Sequence, residues 1–189
     1  GANRAVVREL TRPDRRVLNV FGESTGKHLV TIDVETAPAA LPGGGPPAGP
    51  IECQVVLWDL ERPDAAPTVI DTARPTSFPL VAFSPDGKTL AFALVRSTKV
   101  KLFSVDDGRL VGHVESQADL NALAVGVGGR LATASGATVQ IWDGVSGEFL
   151  NSFSSTQSIV TRLQFNPRGT LLATWGVGTQ PQVELWDTI

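Results

Sequence analysis

The sequence predicts an all-β protein made of four repeated, four-stranded antiparallel units. Three observations carry that expectation. Residues 80–104, 120–143 and 160–187 superimpose on one another. Each gives an apolar alternating run, a glycine-containing turn, a second run, a polar turn and a third run closing on an aromatic. The turn glycines are Gly87, Gly129 and Gly169, and the closing aromatics Phe103, Trp142 and Trp186. Their intervals approach the roughly 40–45 residues of a four-stranded propeller blade.

The first unit is less plain, because it contains FGESTGKHL (residues 21–29). Gly22, Gly26 and Lys27 resemble part of a phosphate-cradling loop. That loop needs G-x-x-x-x-G-K-[ST] ahead of a helix, whose N-terminal amides meet the phosphate. Here only three residues separate the glycines, His28 stands where a hydroxyl residue is required, and residues 28–34 alternate as a strand. The stretch therefore reads as a hairpin turn with Gly26 as its turn glycine. A loosely aligned first strand, residues 17–21, precedes it; residues 53–59 (CQVVLWD) supply the third strand.

Between the copies lie short apolar runs after turn signals, at residues 67–73, 108–114 and 147–153, with 5–10 the matching run ahead of the first copy. Each is expected to be an outer, fourth strand. The units are thus bounded at about 5–59, 67–104, 108–143 and 147–187, after a tail at residues 1–4. Residues 37–51, rich in Pro and Gly, interrupt the first unit as a surface loop. No helix is expected.

Composition narrows the function classes. Of 189 residues, 42% are hydrophobic and the net charge is −3, which calls for neither a nucleic-acid nor an anionic-membrane partner. No apolar run approaches the roughly 20 residues of a membrane span and no leader is recognisable, so a cytoplasmic location is the expectation. Cys53 is the single cysteine, ruling out an internal disulfide, and its apolar neighbours favour a buried small side chain over a nucleophile. Methionine is absent even at position 1, pointing to an excised piece with Gly1 a cloning remnant. A high Arg-to-Lys ratio with abundant Ala, Gly and Pro hints at a GC-rich bacterial source.

Trp58-Asp59, Trp142-Asp143 and Trp186-Asp187 at third-strand ends, with Ser84-Pro85-Asp86-Gly87 and its variant Asn166-Pro167-Arg168-Gly169 in turns, resemble the WD-repeat β-propeller family over nearly the whole chain. The resemblance implies a hydrogen-bond network joining a third-strand Trp, a second-strand Ser or Thr, a His before the first strand and an Asp before the third. Its Trp–Thr half is retained as Trp58 with Thr31, Trp142 with Thr133, and Trp186 with Thr174. The second unit carries Phe92 and Phe103 instead, losing donor and acceptor together so that no buried polar group is left unpaired. The other half is missing: the His positions hold Arg74, Ser116 and Thr156, the Asp positions Ser97, Gly136 and Gln180, with Glu52 a substitute in the first unit. Gly112-His113 mimics the family's Gly-His pair a few residues early.

A blade covers both faces with neighbours, and WD-type rings close with seven or eight, as the resemblance implies. Four units leave two apolar faces bare. Three outcomes are open: two copies completing an eight-bladed ring, a small four-bladed ring, or part of a longer propeller. The homodimer is favoured, since a chain beginning with an outer strand and ending with a third strand can complete its partner's blade.

Chemistry-bearing constellations are sparse. His28 and His113 lack metal-like partners, Asp106-Asp107 reads as a turn signal rather than a cation site, and Ser84, Ser135 and Ser146 lack a nucleophile-elbow context. No catalytic, cofactor or metal residue is expected. Candidate partner-contacting positions are Arg96, Lys99, the loops at 38–50 and 176–181, and Trp175, which is either an interface anchor or packed on a neighbouring blade. Arg12, Arg15 and Arg16 read as a solvated basic loop. The leading function is a non-catalytic scaffold for protein–protein contact or self-assembly. The alternative is a ligand-binding or enzymatic propeller, with Asn121, Arg162 and Gln164 as polar liners of its channel; a half-propeller whose assembly is itself the purpose is a third.

Overall fold

The computed structural model describes residues 10, 12–35, 52–62, 64–73, 78–179 and 182–188. They form four antiparallel sheets. The first holds β1 (Arg15–Gly22), β2 (His28–Glu35), β3 (Cys53–Asp59) and β4 (Thr68–Ala73) in that order. The second holds β5 (Pro79–Phe83), β6 (Thr89–Leu94), β7 (Lys99–Ser104) and β8 (Leu110–Glu115). The third holds β9 (Ala122–Val125), β10 (Arg130–Ser135), β11 (Thr138–Asp143) and β12 (Phe149–Ser154). The fourth has three described strands, β13 (Ile159–Phe165), β14 (Leu171–Val177) and β15 (Glu184–Asp187). A single 3-10 turn, Val127–Gly129, is the one helical element among the described residues, and no helix there is long and apolar enough to cross a membrane.

Each outer strand bonds to the third strand before it: β4 to β3, β8 to β7 and β12 to β11. The sheets are therefore offset by one strand from the sequence units 5–59, 67–104, 108–143 and 147–187. The physical reason is the short polar turn after each third strand, which folds the chain straight back. Asp59 Oδ1 accepts the amides of Glu61 and Arg62, and Asp143 Oδ1 those of Val145 and Ser146. Asp59 and Asp143 thus hold the turns into β4 and β12. Residues 5–9 of the predicted first outer strand and the Pro/Gly loop at 37–51 lie outside the described residues.

Three core clusters stitch successive sheets together. Register defines equivalent positions: Thr31, Phe92, Thr133 and Thr174 pair with Val56, Lys101, Gln140 and Glu184. The residues flanking these pairs point to the opposite face, because side chains alternate along a strand. On the first three sheets that leading face carries Val30, Ile32, Val55 and Leu57; Ala91, Ala93, Val100 and Leu102; and Ala132, Ala134, Val139 and Ile141. All twelve are buried against the next sheet, between 0% and 6% exposed. Among the described residues, no core cluster joins the fourth sheet to the first.

Candidate interaction surface

Trp58, Trp142 and Trp186 each donate Nε1–H to a threonine hydroxyl, on Thr31 and Thr133 at 2.9 Å and on Thr174 at 3.1 Å. In the second sheet Phe92 and Phe103 pack into the core at the equivalent positions. The half of the network that looked absent is rebuilt from other residues. Glu184 Oε2 accepts the hydroxyls of Thr174 (3.2 Å) and Ser155 (2.6 Å), and Oε1 accepts the Thr156 amide (3.0 Å) and hydroxyl. In the third sheet, Ser116 Oγ bonds Gln140 Oε1 at 3.2 Å. Glu184 and Gln140 sit on the third strand itself, directly opposite the threonine. They lie outside the turn where the repeat pattern places an acid, so the pattern did not reveal them. Burial pushes the Glu184 carboxyl upward, but the bonds from Ser155, Thr156 and Thr174 outweigh it and hold the group at about 2.

The FGESTGKHL hairpin does cradle an anion, its own Glu23. The carboxylate accepts the Lys27 amide (2.6 Å), the His28 amide (3.0 Å), the Thr25 hydroxyl (2.5 Å) and the Thr25 amide. Against the upward push of burial, these bonds lower its carboxyl from 4.5 to about 2. Gly26, at φ +75°, makes the close turn that aims these amides inward. The donors that a phosphate loop offers a nucleotide are engaged within the protein.

The exposed chemistry is concentrated on the fourth sheet. Its leading-face positions are Ala173, Trp175, Val183 and Leu185, of the same apolar character as those on the other sheets, and among the described residues they belong to no core cluster. Trp175 is 44%, Val183 64% and Leu185 70% exposed. Ile159, Leu171 and Val177 add exposed apolar area on that side of the sheet. At the other end of the row, the first sheet is covered along β2 and β3, where Thr31, Asp33 and Val56 are buried, and open along β1, where Val17 is 42% and Val20 62% exposed.

Arg96 and Lys99 lie in and after the turn between β6 and β7, away from that surface. The Arg96 backbone is left-handed (φ 63°) and its amide bonds Leu120 O, tying the turn to the next sheet, while Lys99 Nζ lies 3.8 Å from Glu115. Trp175 stands within β14 rather than in a loop, opposite Arg162. Arg12 and Arg15 are not a solvated loop. Arg12 pairs with the buried Asp33 at 3.2 Å, and Arg15 bonds the carbonyls of Asp33 and Glu52. Asp33 is a desolvated carboxylate that needs a cation.

The inner strands face a cleft of about 590 Å³ lined by Phe21, Leu80, Leu123, Arg162, Gln164 and Trp175, among others. Asn121 is turned away, its Oδ1 accepting the Gly136 amide at 2.6 Å. Among the described residues no three His, Cys, Asp or Glu side chains converge as a metal group. His28 Nδ1 lies 3.9 Å from Glu23, and Asp107 caps the Arg109 amide. Glu52, Arg74 and Gln180 make no described contribution to a Trp–Thr pair; Arg74 and Gln180 lie outside the described residues.

No protein-family model matches the chain, and no curated protein matches it. Solved structures do. A chain of the mitotic checkpoint complex superimposes with a TM-score of 0.59 at 20% identity, covering 94% of this chain and 51% of that one. The RRP9 WD40 repeats give 0.57 at 16% identity, covering 92% and 51%. The U3-55K structure gives 0.58 at 16% identity, covering 92% and 52%. The chain has the WD-repeat propeller fold, and it spans about half the length of the solved chains it matches.

Proposed function

We propose that this protein is an interaction scaffold whose working surface is the leading face of its fourth sheet, and that two copies join through that face to complete an eight-bladed ring. The observation that carries the reading is the register equivalence. Positions buried to 6% exposure or less on three sheets are 44% to 70% exposed at Trp175, Val183 and Leu185 on the fourth. An apolar surface of that design excludes water only when another blade lies on it. A receiving strand exists in the chain itself: β1 of the first sheet is open through Val17 and Val20, 42% and 62% exposed, whereas Trp58 on β3 is already buried at 7%.

One further fact supports it. The matched chains are about twice as long, and one of them comes from the mitotic checkpoint complex. The same surface serves a scaffold role towards other proteins when a second copy is not the occupant. Light scattering coupled to size exclusion tests the self-assembly: the expected mass is twice the 19.9 kDa chain, and Leu185→Asp is expected to return it to one chain. A wild-type protein that stays at one chain mass at high micromolar concentration refutes the dimer.

A further inference from the structure

Three of the four buried side-chain atoms that lack a hydrogen-bond partner among the described residues belong to the first sheet: Arg15 Nε, Asp33 Oδ1 and Gln54 Oε1. Buried polar groups in folded proteins are paired almost without exception, so three unmet atoms in one sheet call for a common explanation.

The three share one end of the sheet. Asp33 on β2 is paired with Val17 on β1 and with Gln54 on β3. Arg15 opens β1, and its guanidinium reaches across the same end. Its Nη2 donates to the carbonyls of Asp33 and Glu52, both at 3.2 Å, and its Nη1 to Glu35 at 3.5 Å. The Asp33 side chain is 0% exposed; Arg12 Nη1 serves Oδ2 at 3.2 Å, which leaves Oδ1. The arrangement is peculiar to this sheet, because the place of Asp33 is held by Leu94 in the second and Ser135 in the third.

Two acceptors and one donor are unmet, so the group that fits them offers two donors and one acceptor. A metal cation would meet the two oxygens but face the guanidiniums of Arg12 and Arg15. An anion would meet Arg15 but face the Asp33 carboxylate. We infer that Arg15, Asp33 and Gln54 hold one buried water, which donates to Asp33 Oδ1 and Gln54 Oε1 and accepts from Arg15 Nε–H. Three bonds is the usual complement of such a water. A cleft of about 370 Å³ shares Arg12 and Arg15 with the site and supplies the solvent. The water ties β1, β2 and β3 together where the chain enters the sheet. That gives β1, open through Val17 and Val20, a hold on its neighbours beyond its own ladder. The site is independent of the assembly proposed above.

The test has two arms. A crystal structure of the full chain, at a resolution that shows ordered solvent, is expected to place a water about 2.7–3.2 Å from all three atoms. Gln54→Leu, with circular dichroism to check the fold, is expected to lower Tm by at least about 2 °C, because the water then loses a partner on which Asp33 and Arg15 depend. The rival account is a Gln54 amide turned over, donating Nε2–H straight to Asp33 Oδ1. Density showing that direct bond, or no water at the three atoms, overturns the inference. So does a Tm for Gln54→Leu that is unchanged or raised, the outcome when an unmet buried oxygen is simply removed.

Discussion

Replacing Glu184 by alanine removes the acceptor of four hydrogen bonds at once. Thr156 is exposed and recovers water, whereas Ser155 and Thr174 are buried and do not. Hydrogen bonds to charged groups contribute about 1.5–3 kcal/mol each, and a stranded buried donor costs a similar amount. With two buried hydroxyls stranded, the expected loss is about 3–5 kcal/mol. For a chain of this length each kcal/mol lowers Tm by about 2–4 °C, so a fall of about 10 °C is expected. The pH dependence fixes the mechanism. The folded carboxyl is lowered from 4.5 to about 2, so the unfolded chain takes up the proton first as pH falls. The stabilisation is complete above about pH 4.5 and is lost as pH drops towards 2. Thermal melts of wild type and Glu184→Ala at equal protein concentration should therefore be far apart at pH 7 and converge between pH 4.5 and 2. A separation below about 2 °C at pH 7, or one that persists unchanged to pH 2, would refute the network.

The remaining expectations are independent of it. Thr133→Val leaves the Trp142 indole N–H buried without its acceptor and should cost about 1–3 kcal/mol by urea unfolding. Adding Trp142→Phe should recover most of that loss, since the pair then lacks donor and acceptor together, as Phe92 with Phe103 does; a double variant as unstable as the sum of its parts would contradict the pairing. Gly112→Ala should be among the most damaging changes, because a Cβ there would stand 2.1 Å from the Gly144 carbonyl oxygen. Normal yield and an unchanged Tm for that variant would show the outer strand to be looser than its packing indicates. Millimolar ATP should leave Tm unchanged, since the amides of Lys27 and His28 already serve Glu23; a saturable rise of several degrees would reinstate a phosphate site.

What the sequence determined by itself was the strand menu and its repetition. Two-residue alternation, glycine turns and closing aromatics are local signals, and they located the strands to within a few residues; residues 53–59 coincide with Cys53–Asp59. The Trp–Thr pairs were legible through the family resemblance, which matched Trp58, Trp142 and Trp186 to Thr31, Thr133 and Thr174. Only the tertiary structure decided which strands share a sheet, since a run such as Thr68–Ala73 is equally compatible with the unit before it and the unit after it. Only it showed Glu184 and Gln140 as network members, because they meet Ser155 and Ser116 across strands brought together by folding. The reach of Arg12 to Asp33 is of the same kind. Above all, the exposure of Trp175 is invisible in a sequence: Val183 and Leu185 read like Val139 and Ile141, and only a neighbour's presence or absence in space separates core from surface.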